Sequence, residues 1–212
     1  MRILNLYACL GGNRYKWDEV TDCQVTAVEL DPEAARLYQE RFPQDTVIVA
    51  DAHEYLRLHY KDFDFIWSSP PCPTHSRLQQ SMKTMRQMHY PDMKLYQEII
   101  FLDTFFEGKY VVENVIPYYE PLIEAQKRHR HLYWCNFKLP SILSKRKAPQ
   151  ITRGDMVANL CAFHDYDFKQ YRGTQRVLKM ARNLVDYEAG RTILETACGI
   201  IRSNNTKQLS IL

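Results

Sequence analysis

Residues 2–12, RILNLYACLGG, begin the chain with an apolar run that ends in two adjacent glycines. The run predicts a buried β-strand over residues 2–9. Gly11 and Gly12 predict a sharp turn at its end, because glycine lets the backbone approach a ligand or a neighbouring segment closely. A plain tight turn and a ligand-binding turn explain the two glycines about equally well.

Short apolar runs and amphipathic segments alternate through the rest of the first half. Further strands are predicted at residues 25–30, 46–50, 63–67 and 110–115. Helices are predicted to begin at Pro32, at the capping residue Asp51 and near Asp92. The apolar face of the third helix would consist of Met93, Tyr96, Ile99, Ile100 and Phe105. Strands that alternate with helices predict an α/β fold with a mostly parallel sheet, whose ligands bind at the carboxyl ends of the strands.

The second half of the chain is less regular. Residues 131–137 predict another strand, and residues 174–199 predict a helix that is interrupted around Val185 and Asp186. Residues 138–173 are rich in Lys, Arg, Pro and aromatic residues and show only weak periodicity. Residues 203–212 predict a frayed tail.

The composition is that of a globular protein with one compact domain. The chain has 212 residues, of which 45% are hydrophobic and 25% are charged. Its net charge of +3 permits a nucleic-acid partner without requiring one. No two of the six cysteines form a C-x-x-C pair, so we expect no metal site and free thiols in a reducing cytoplasm. We find no signal peptide and no run near the roughly 20 apolar residues of a membrane span.

Acidic residues stand at the ends of two predicted strands. Glu29 follows the glycine turn by about 20 positions, where an acidic side chain commonly binds ribose hydroxyls. A solvated carboxylate at the start of a helix is the alternative. Asp51 ends the third strand and could accept a hydrogen bond from an adenine amino group, or could simply cap the next helix.

A cysteine and a carboxylic acid follow the fourth and fifth predicted strands. In Ser68-Ser69-Pro70-Pro71-Cys72 the two prolines fix the backbone as it leaves the sheet and hold the thiol rigidly. Such a thiol can act as a nucleophile, although a lone cysteine is more often a small buried hydrophobe. Glu113 and Asn114 end the next strand, where a partly buried carboxyl group could act as an acid or could belong to a surface turn.

Basic residues precede the strand at 131–137. Strand alternation through Gln126-Lys127-Arg128-His129-Arg130 would place Arg128 and Arg130 on one face. Two guanidinium groups on one face can hold a base oxygen or a phosphate. A solvated charged surface is an equal alternative.

These motifs occur in the order and spacing of the DNA cytosine-5 methyltransferase family, which the chain resembles over roughly residues 3–137 and again near 180–199. Residues 5–12, NLYACLGG, correspond to the family's D-L-F-A-G-x-G-G. Pro70-Pro71-Cys72 matches P-P-C, Glu113-Asn114-Val115 matches E-N-V, and Gln126-x-Arg128-x-Arg130 matches Q-x-R-x-R. Asn183-Leu184-Val185 is similar to the last motif of the family.

The resemblance implies a Rossmann-like, doubly wound methyltransferase fold that uses S-adenosyl-L-methionine and releases S-adenosyl-L-homocysteine. It implies methyl transfer to carbon 5 of a cytosine flipped out of double-stranded DNA, through a covalent adduct with Cys72. Glu113 would share a proton at N3, Arg130 would hold the exocyclic oxygen, and Asn114 and Arg128 would complete the catalytic set. The implied cofactor contacts are Tyr7, Ala8, Cys9, Leu10, Gly11, Gly12, Glu29, Leu30, Asp51, Ala52, Pro71 and Asn183.

The resemblance also implies a division of the chain. Residues 1–137 would form the catalytic core, 138–180 a reduced target-recognition lobe, 181–202 a helix that returns to the core, and 203–212 a tail. Residues 73–91 would close over the DNA. The implied nucleic-acid contacts are Ser76, Arg77, Lys83, Arg86, Lys145, Arg146, Lys147 and Arg153. The small lobe predicts a very short recognition site, low specificity, or a separate recognition subunit.

Asn5, Cys9, Pro73 and His75 depart from the family pattern, which has Asp, Gly, Gln and Phe at these positions. These departures and the small recognition region keep open a non-catalytic subunit that binds cofactor or DNA. Methylation of RNA is a further alternative, because one branch of the family acts on transfer RNA. Transfer to the cytosine amino nitrogen is disfavoured, because that chemistry needs no thiol. We expect a cytoplasmic protein of bacterial or phage type.

Overall fold

A computed structural model describes residues 1–77, 89–147, 149 and 155–200. Within these residues one sheet of seven strands has the order β3-β2-β1-β4-β5-β7-β6. The strands are β1 (Arg2–Leu6), β2 (Gln24–Glu29), β3 (Thr46–Val49), β4 (Phe65–Ser68), β5 (Lys109–Val115), β6 (Gln126–Arg128) and β7 (His131–Cys135). The first five are mutually parallel, whereas β7 is antiparallel to β5 and β6 is antiparallel to β7. The predicted mostly parallel, Rossmann-like α/β sheet is confirmed.

Helices cover both faces of this sheet. They are α1 (Pro32–Arg41), α2 (Ala52–His59), α3 (Lys94–Phe105), α4 (Met156–His164), α5 (Val177–Asn183) and α6 (Tyr187–Ala197), with 3-10 helices at Asn13–Glu19, Tyr60–Asp62 and Phe168–Gln170. Aspartates at positions 31, 51, 155 and 186 cap α1, α2, α4 and α6 through backbone N–H groups of the first turn. The predicted break in the last helical segment is therefore real, because α5 ends and Asp186 starts α6.

Helix α3 buries only part of the predicted face, namely Tyr96 and Ile99. Ile100 and Phe105 are 57% and 58% exposed, and Met93 precedes the helix and is also exposed. The buried face consists of Leu95, Tyr96, Glu98, Ile99 and Leu102. The rest of the predicted face was wrong because the buried side of the helix carries a glutamate, which interrupts the apolar stripe in the sequence.

Alternating strand residues point into two hydrophobic cores, one on each face of the sheet. Leu4, Leu6 and Ile66 lie in the core under α2 and α3. Ile3 and Trp67 lie in the opposite core, which also contains apolar residues of α6 and of the segment after β7. The 3-10 helix at Asn13–Glu19 is held in that second core by Trp17, which is fully buried.

A buried ion pair ties the turn after β1 to the loop before β3. The Arg14 Nε and Nη2 atoms each donate to the Asp45 carboxylate at 2.9 Å. Tyr38 Oη donates to the same carboxylate, also at 2.9 Å. A fully buried guanidinium needs such partners, because an uncompensated charge in the interior costs several kcal/mol.

The described part of the chain contains no helix that is long and apolar enough to cross a membrane. No group of three or more His, Cys, Asp or Glu side chains in that part could hold a metal ion. All six cysteine positions lie within it, and each thiol is free.

Candidate active site

The turn after β1 uses left-handed backbone at two non-glycine residues. Tyr7 has φ 55° and Cys9 has φ 49°. Cys9 stands where the resembled family has glycine, the residue that adopts this conformation without strain. The Cys9 sulfur lies 2.8 Å from the Met180 sulfur, and burial raises the pKa of this thiol above its usual value. Cys9 is therefore an inert thiol that fastens α5 to the turn.

The two glycines of this turn are required for packing. A side chain on Gly11 would meet the rings of Phe42 and Tyr38. A side chain on Gly12 would meet the Val185 carbonyl oxygen, in the link between α5 and α6. The space that the glycines leave is thus filled by protein, as expected for the tight-turn interpretation.

Glu29 ends β2 with its carboxylate held by two backbone groups. Its Oε2 accepts from Cys9 N at 2.8 Å and its Oε1 from Asp31 N at 2.9 Å. Burial raises the pKa of Glu29, although these N–H groups partly offset the shift. Each oxygen keeps a lone pair that could accept from a ligand hydroxyl.

Asp51 presents a second carboxylate after the neighbouring strand. Its Oδ1 accepts from Glu54 N at 3.1 Å, and its Oδ2 lies 3.7 Å from Lys94 Nζ. The Glu54 N–H lowers the pKa of Asp51, so this side chain is an anionic acceptor at neutral pH. Leu30 is exposed beside these carboxylates, whereas the side chains of Ala8, Leu10 and Ala52 are buried and could meet a ligand only through their backbone.

Several hydrogen bonds fix the Cys72 loop. Asn114 Nδ2 donates to the Pro70 carbonyl oxygen at 3.0 Å. The backbone N–H groups of His75 and Ser76 both donate to the Cys72 carbonyl oxygen at 3.0 Å. These bonds fix the backbone on both sides of the half-buried Cys72 without help from a ligand.

Cys72 and Glu113 lie close together, at the carboxyl ends of β4 and β5. These strands are parallel neighbours, with Ser68 paired to Val112. Burial raises the pKa of the Cys72 thiol, the negative charge of Glu113 raises it further, and the positive charge of Lys179 opposes both effects. The sequence-predicted pairing of a thiol with a carboxyl group therefore exists in the fold.

His131 is a neighbour of Glu113 that the sequence did not indicate. Its Nε2 lies 3.6 Å from Glu113 Oε1, and the two residues are diagonal neighbours across the β5–β7 pair, in which His131 is opposite Val115. Lys179 is a second such neighbour, brought to Cys72 by α5. Neither residue belongs to a motif, and only the antiparallel return of β7 and the docking of α5 bring them to the site.

Arg128 and Arg130 do not share one strand face, so the alternation prediction was wrong. Strand β6 ends at Arg128, and His129 follows with a left-handed φ of 51°. The Arg128 guanidinium donates to the carbonyl oxygens of Leu139 and Pro140, both at 2.6 Å. Arg130 is exposed in the turn. Arg128 thus anchors the segment after β7, and only Arg130 remains free to meet a substrate.

The basic residues predicted to contact nucleic acid fall into different settings. Arg146 lies inside the small lobe, where its guanidinium pairs with Asp186 at 2.7 Å, so it is not available to a phosphate. Lys145 and Lys147 are exposed. Ser76 forms a backbone bridge with Pro117, and Arg77 Nε lies 3.4 Å from the oxygen of the same proline. Lys83, Arg86 and Arg153 lie outside the described residues.

Pro71 and Asn183, predicted to contact the cofactor, are both exposed. Pro71 stands directly before Cys72, and Asn183 ends α5. His75 departs from the family pattern and is buried, with its Nδ1 2.6 Å from Tyr119 Oη. Burial lowers the pKa of His75, so this ring is neutral and holds the loop after Cys72 against the segment after β5.

The sequence profile described as C-5 cytosine-specific DNA methylase matches residues 1–117. The chain belongs to this family. The predicted family is thereby confirmed, and S-adenosyl-L-methionine is the family's cofactor. Two carboxylates at adjacent strand ends, one beside Cys9 and one capping α2, are acceptors that suit the hydroxyls and the adenine amino group of this molecule.

Three solved structures are similar to the chain. A triple mutant of DNMT2 from Spodoptera frugiperda is 24% identical, with a TM-score of 0.40, over 54% of this chain and 35% of that one. The methyltransferase EhMeth from Entamoeba histolytica is 12% identical, with a TM-score of 0.38, over 54% and 38%. A DNA modification methyltransferase assigned to an Escherichia coli prophage is 19% identical, with a TM-score of 0.39, over 57% and 33%.

The chain thus matches little more than a third of the length of these structures. No curated protein matches it.

Proposed function

We propose that this protein transfers a methyl group from S-adenosyl-L-methionine to carbon 5 of cytosine in DNA. The observation that carries the proposal is the position of Cys72 beside Glu113 at the carboxyl ends of two parallel neighbours. A nucleophile and an acid at this edge of the sheet supply the two groups that the reaction needs.

The cofactor supplies an electrophilic methyl group when bound. On this proposal Glu29 accepts hydrogen bonds from the ribose hydroxyls, and Asp51 accepts one from the adenine amino group. Tyr7 packs against the adenine, and Asn183 closes the pocket from the end of α5. Each oxygen of Glu29 accepts one backbone N–H, which fixes the orientation of the carboxylate. Its remaining lone pairs therefore have fixed directions, which supports this assignment.

The protein residues then act on the flipped cytosine. The Cys72 thiolate adds to carbon 6 while Glu113 gives a proton to N3, so negative charge does not build up on the ring. Carbon 5 becomes electron-rich and takes the methyl group. A base, water in the simplest case, removes the carbon 5 proton. Cys72 then leaves as a thiolate, and N3 returns its proton to Glu113.

DNA is the proposed substrate because the matching family is one of DNA methylases and because the exposed Arg130 stands next to His131, the neighbour of Glu113. Lys145 and Lys147 in the small lobe, with Arg130 in the turn after β6, are available to phosphates or to the base. The lobe is small, so we expect a short recognition sequence or a recognition partner.

The test is incubation with methyl-labelled S-adenosyl-L-methionine and duplex DNA, followed by mass spectrometry of the nucleosides. We expect 5-methyldeoxycytidine from the wild type and from Cys198→Ala, and none from Cys72→Ala. Cys198 is a matched control because it lies near the amino terminus of the chain, away from the strand ends that form the site. If only transfer RNA is methylated, the substrate is RNA. If the cofactor binds without turnover, the protein is a non-catalytic subunit.

A further inference from the structure

A buried carboxylate that no motif contains lies between the cofactor side and the nucleophile side of the site. Glu98, in the second turn of α3, is 1% exposed. Its Oε1 accepts from Tyr7 Oη at 2.5 Å, and its Oε2 accepts from Ser68 Oγ at 2.6 Å. His53 Nδ1 lies 3.1 Å from the same Oε1.

The three partners of Glu98 come from three different elements at the carboxyl edge of the sheet. Tyr7 follows β1, Ser68 is the last residue of β4, and His53 lies in the first turn of α2. Tyr7 belongs to the proposed adenine pocket, and Ser68 begins the Ser-Ser-Pro-Pro-Cys segment. One side chain thus joins the proposed cofactor pocket to the base of the nucleophile loop.

Hydrogen bonding decides whether such a group is tolerated in the interior. A buried carboxyl group is costly unless its oxygens accept hydrogen bonds. Glu98 has its full set of hydrogen bonds only when all three partners are in place. Burial and the Glu98 charge both raise the pKa of Tyr7, so the phenol keeps its proton and remains a donor. The hydrogen bond to Glu98 raises the pKa of His53, whose other charged neighbours are Lys94 and Asp51.

We propose that Glu98 is a positioning residue that holds Tyr7 in the cofactor pocket and Ser68 beneath the Cys72 loop in one fixed arrangement. The inference rests on the proposed function for the roles of Tyr7 and Cys72. It goes beyond that function because it makes cofactor affinity and nucleophile reactivity depend on one side chain that touches neither the cofactor nor the base.

The experiment compares three variants that each remove a different part of the network. Tyr7→Phe removes the hydroxyl on the cofactor side, Ser68→Ala removes the hydroxyl on the nucleophile side, and Glu98→Gln keeps the shape but cannot accept from all three partners. Glu107→Gln, at an exposed site just after α3, is the matched control for loss of one carboxylate. The readouts are the dissociation constant of S-adenosyl-L-homocysteine by calorimetry and the rate of Cys72 alkylation by iodoacetamide, both without DNA.

We expect Tyr7→Phe to weaken cofactor-product binding about 5- to 10-fold with an unchanged alkylation rate, as for loss of one hydrogen bond. Ser68→Ala should change the alkylation rate by a similar factor and leave binding unchanged. Glu98→Gln should change both quantities, and Glu107→Gln neither. Glu98→Asp, which retains the charge but shortens the reach, should show both effects more weakly if Glu98→Gln fails to fold.

Glu98→Gln could lower the melting temperature but leave binding and alkylation as in the wild type. Glu98 would then be a structural residue, and the proposal would be overturned. An effect on only one readout would overturn the link between the two sides. Failure of the wild type to bind S-adenosyl-L-homocysteine would instead contradict the proposed function. In that case the alkylation rates of Ser68→Ala and Glu98→Gln would still decide whether Glu98 controls the Cys72 loop.

Discussion

Cys72 lies in a fixed loop, as suits a nucleophile, but its surroundings oppose ionisation of the thiol. Burial is the largest influence on this thiol, and the neighbouring Glu113 acts in the same direction. Lys179 provides the opposing positive charge from α5. A thiol of this kind is mostly protonated at neutral pH, which protects it from adventitious oxidation until substrate alters its surroundings.

The raised pKa of Cys72 predicts a steep pH dependence of its reactivity. Because the thiolate is the reactive form, the rate of alkylation should rise about tenfold for each pH unit between pH 7 and pH 8.5. Lys179→Gln removes the charge that lowers this pKa and should slow alkylation at any pH in that range, whereas Lys179→Arg should not. The measurement is iodoacetamide labelling followed by mass spectrometry, and a flat profile would contradict the prediction.

At the residue scale, candidate site residues could be predicted where a reactive side chain comes soon after a predicted strand. Glu113 and Asp51 follow an apolar run directly, and Cys72 follows one after the Ser-Ser-Pro-Pro segment, so strand ends and candidate site residues could be predicted together. Glu98 could not be predicted, because a glutamate inside a helix resembles any solvated charge until the helix is docked. Arg128 was misassigned because the left-handed turn at His129 breaks strand alternation without any glycine to indicate it.

At the scale of elements, Arg146 joins the segment after β7 to helices α4 and α6. The Arg146 guanidinium lies 3.9 Å from the centre of the Phe163 ring and 3.8 Å from the centre of the Tyr187 ring. It also pairs with Asp186, the residue that caps α6. Helices α4 and α6 and the segment before α4 therefore meet at one side chain, which explains why a basic residue in a basic stretch is only partly exposed.

Arg146→Ala should lower the stability of the protein, and Lys147→Ala should not. Loss of a partly buried ion pair with two ring contacts is expected to cost about 2–3 kcal/mol of unfolding free energy. Urea denaturation followed by circular dichroism measures this difference. Lys147→Ala should instead weaken DNA binding and reduce its dependence on salt, because Lys147 is exposed and available to a phosphate.

The architecture of the elements was predictable to different degrees along the chain. The five parallel strands were predicted because each contains several apolar residues in a short run, as expected for strands of a largely buried parallel sheet. Helix α4 was not predicted, since it lies in a stretch with weak periodicity and is mostly half-buried. The antiparallel pair β6 and β7 depends on a reversal of the chain that no short motif indicates.

At the scale of the whole molecule, buried histidines make stability depend on pH, and His164 is the one with the large pKa shift. His164, in α4, is 3% exposed, and its Nδ1 has no hydrogen-bond partner in the described part of the chain. Burial lowers the pKa of His164 to about 4, and the positive charges of Arg146 and Arg41 contribute in the same direction, against Asp186. The folded protein therefore keeps this ring neutral at a pH where the unfolded chain protonates it.

The protein should lose stability as the pH falls from about 6.5 towards 4, and this histidine should add no penalty above that window. The unfolded state binds the extra proton in this range, so unfolding becomes more favourable by up to about 3 kcal/mol. His164→Phe, beside the Phe163 and Phe168 rings, should flatten the acid side of a plot of melting temperature against pH. His59→Gln, at an exposed histidine, should leave that plot unchanged.

The contact between α6 and the 3-10 helix at Asn13–Glu19 also constrains how the protein is made. Trp17 Nε1 donates to the Gly190 carbonyl oxygen at 3.3 Å, across 173 residues of chain. At a synthesis rate of about 5–20 residues per second, Trp17 waits roughly 10–35 s for its partner to leave the ribosome. Between the emergence of β7 and that of α6, the nascent chain exposes one apolar face of a complete sheet, which is the kind of surface that chaperones on the ribosome bind.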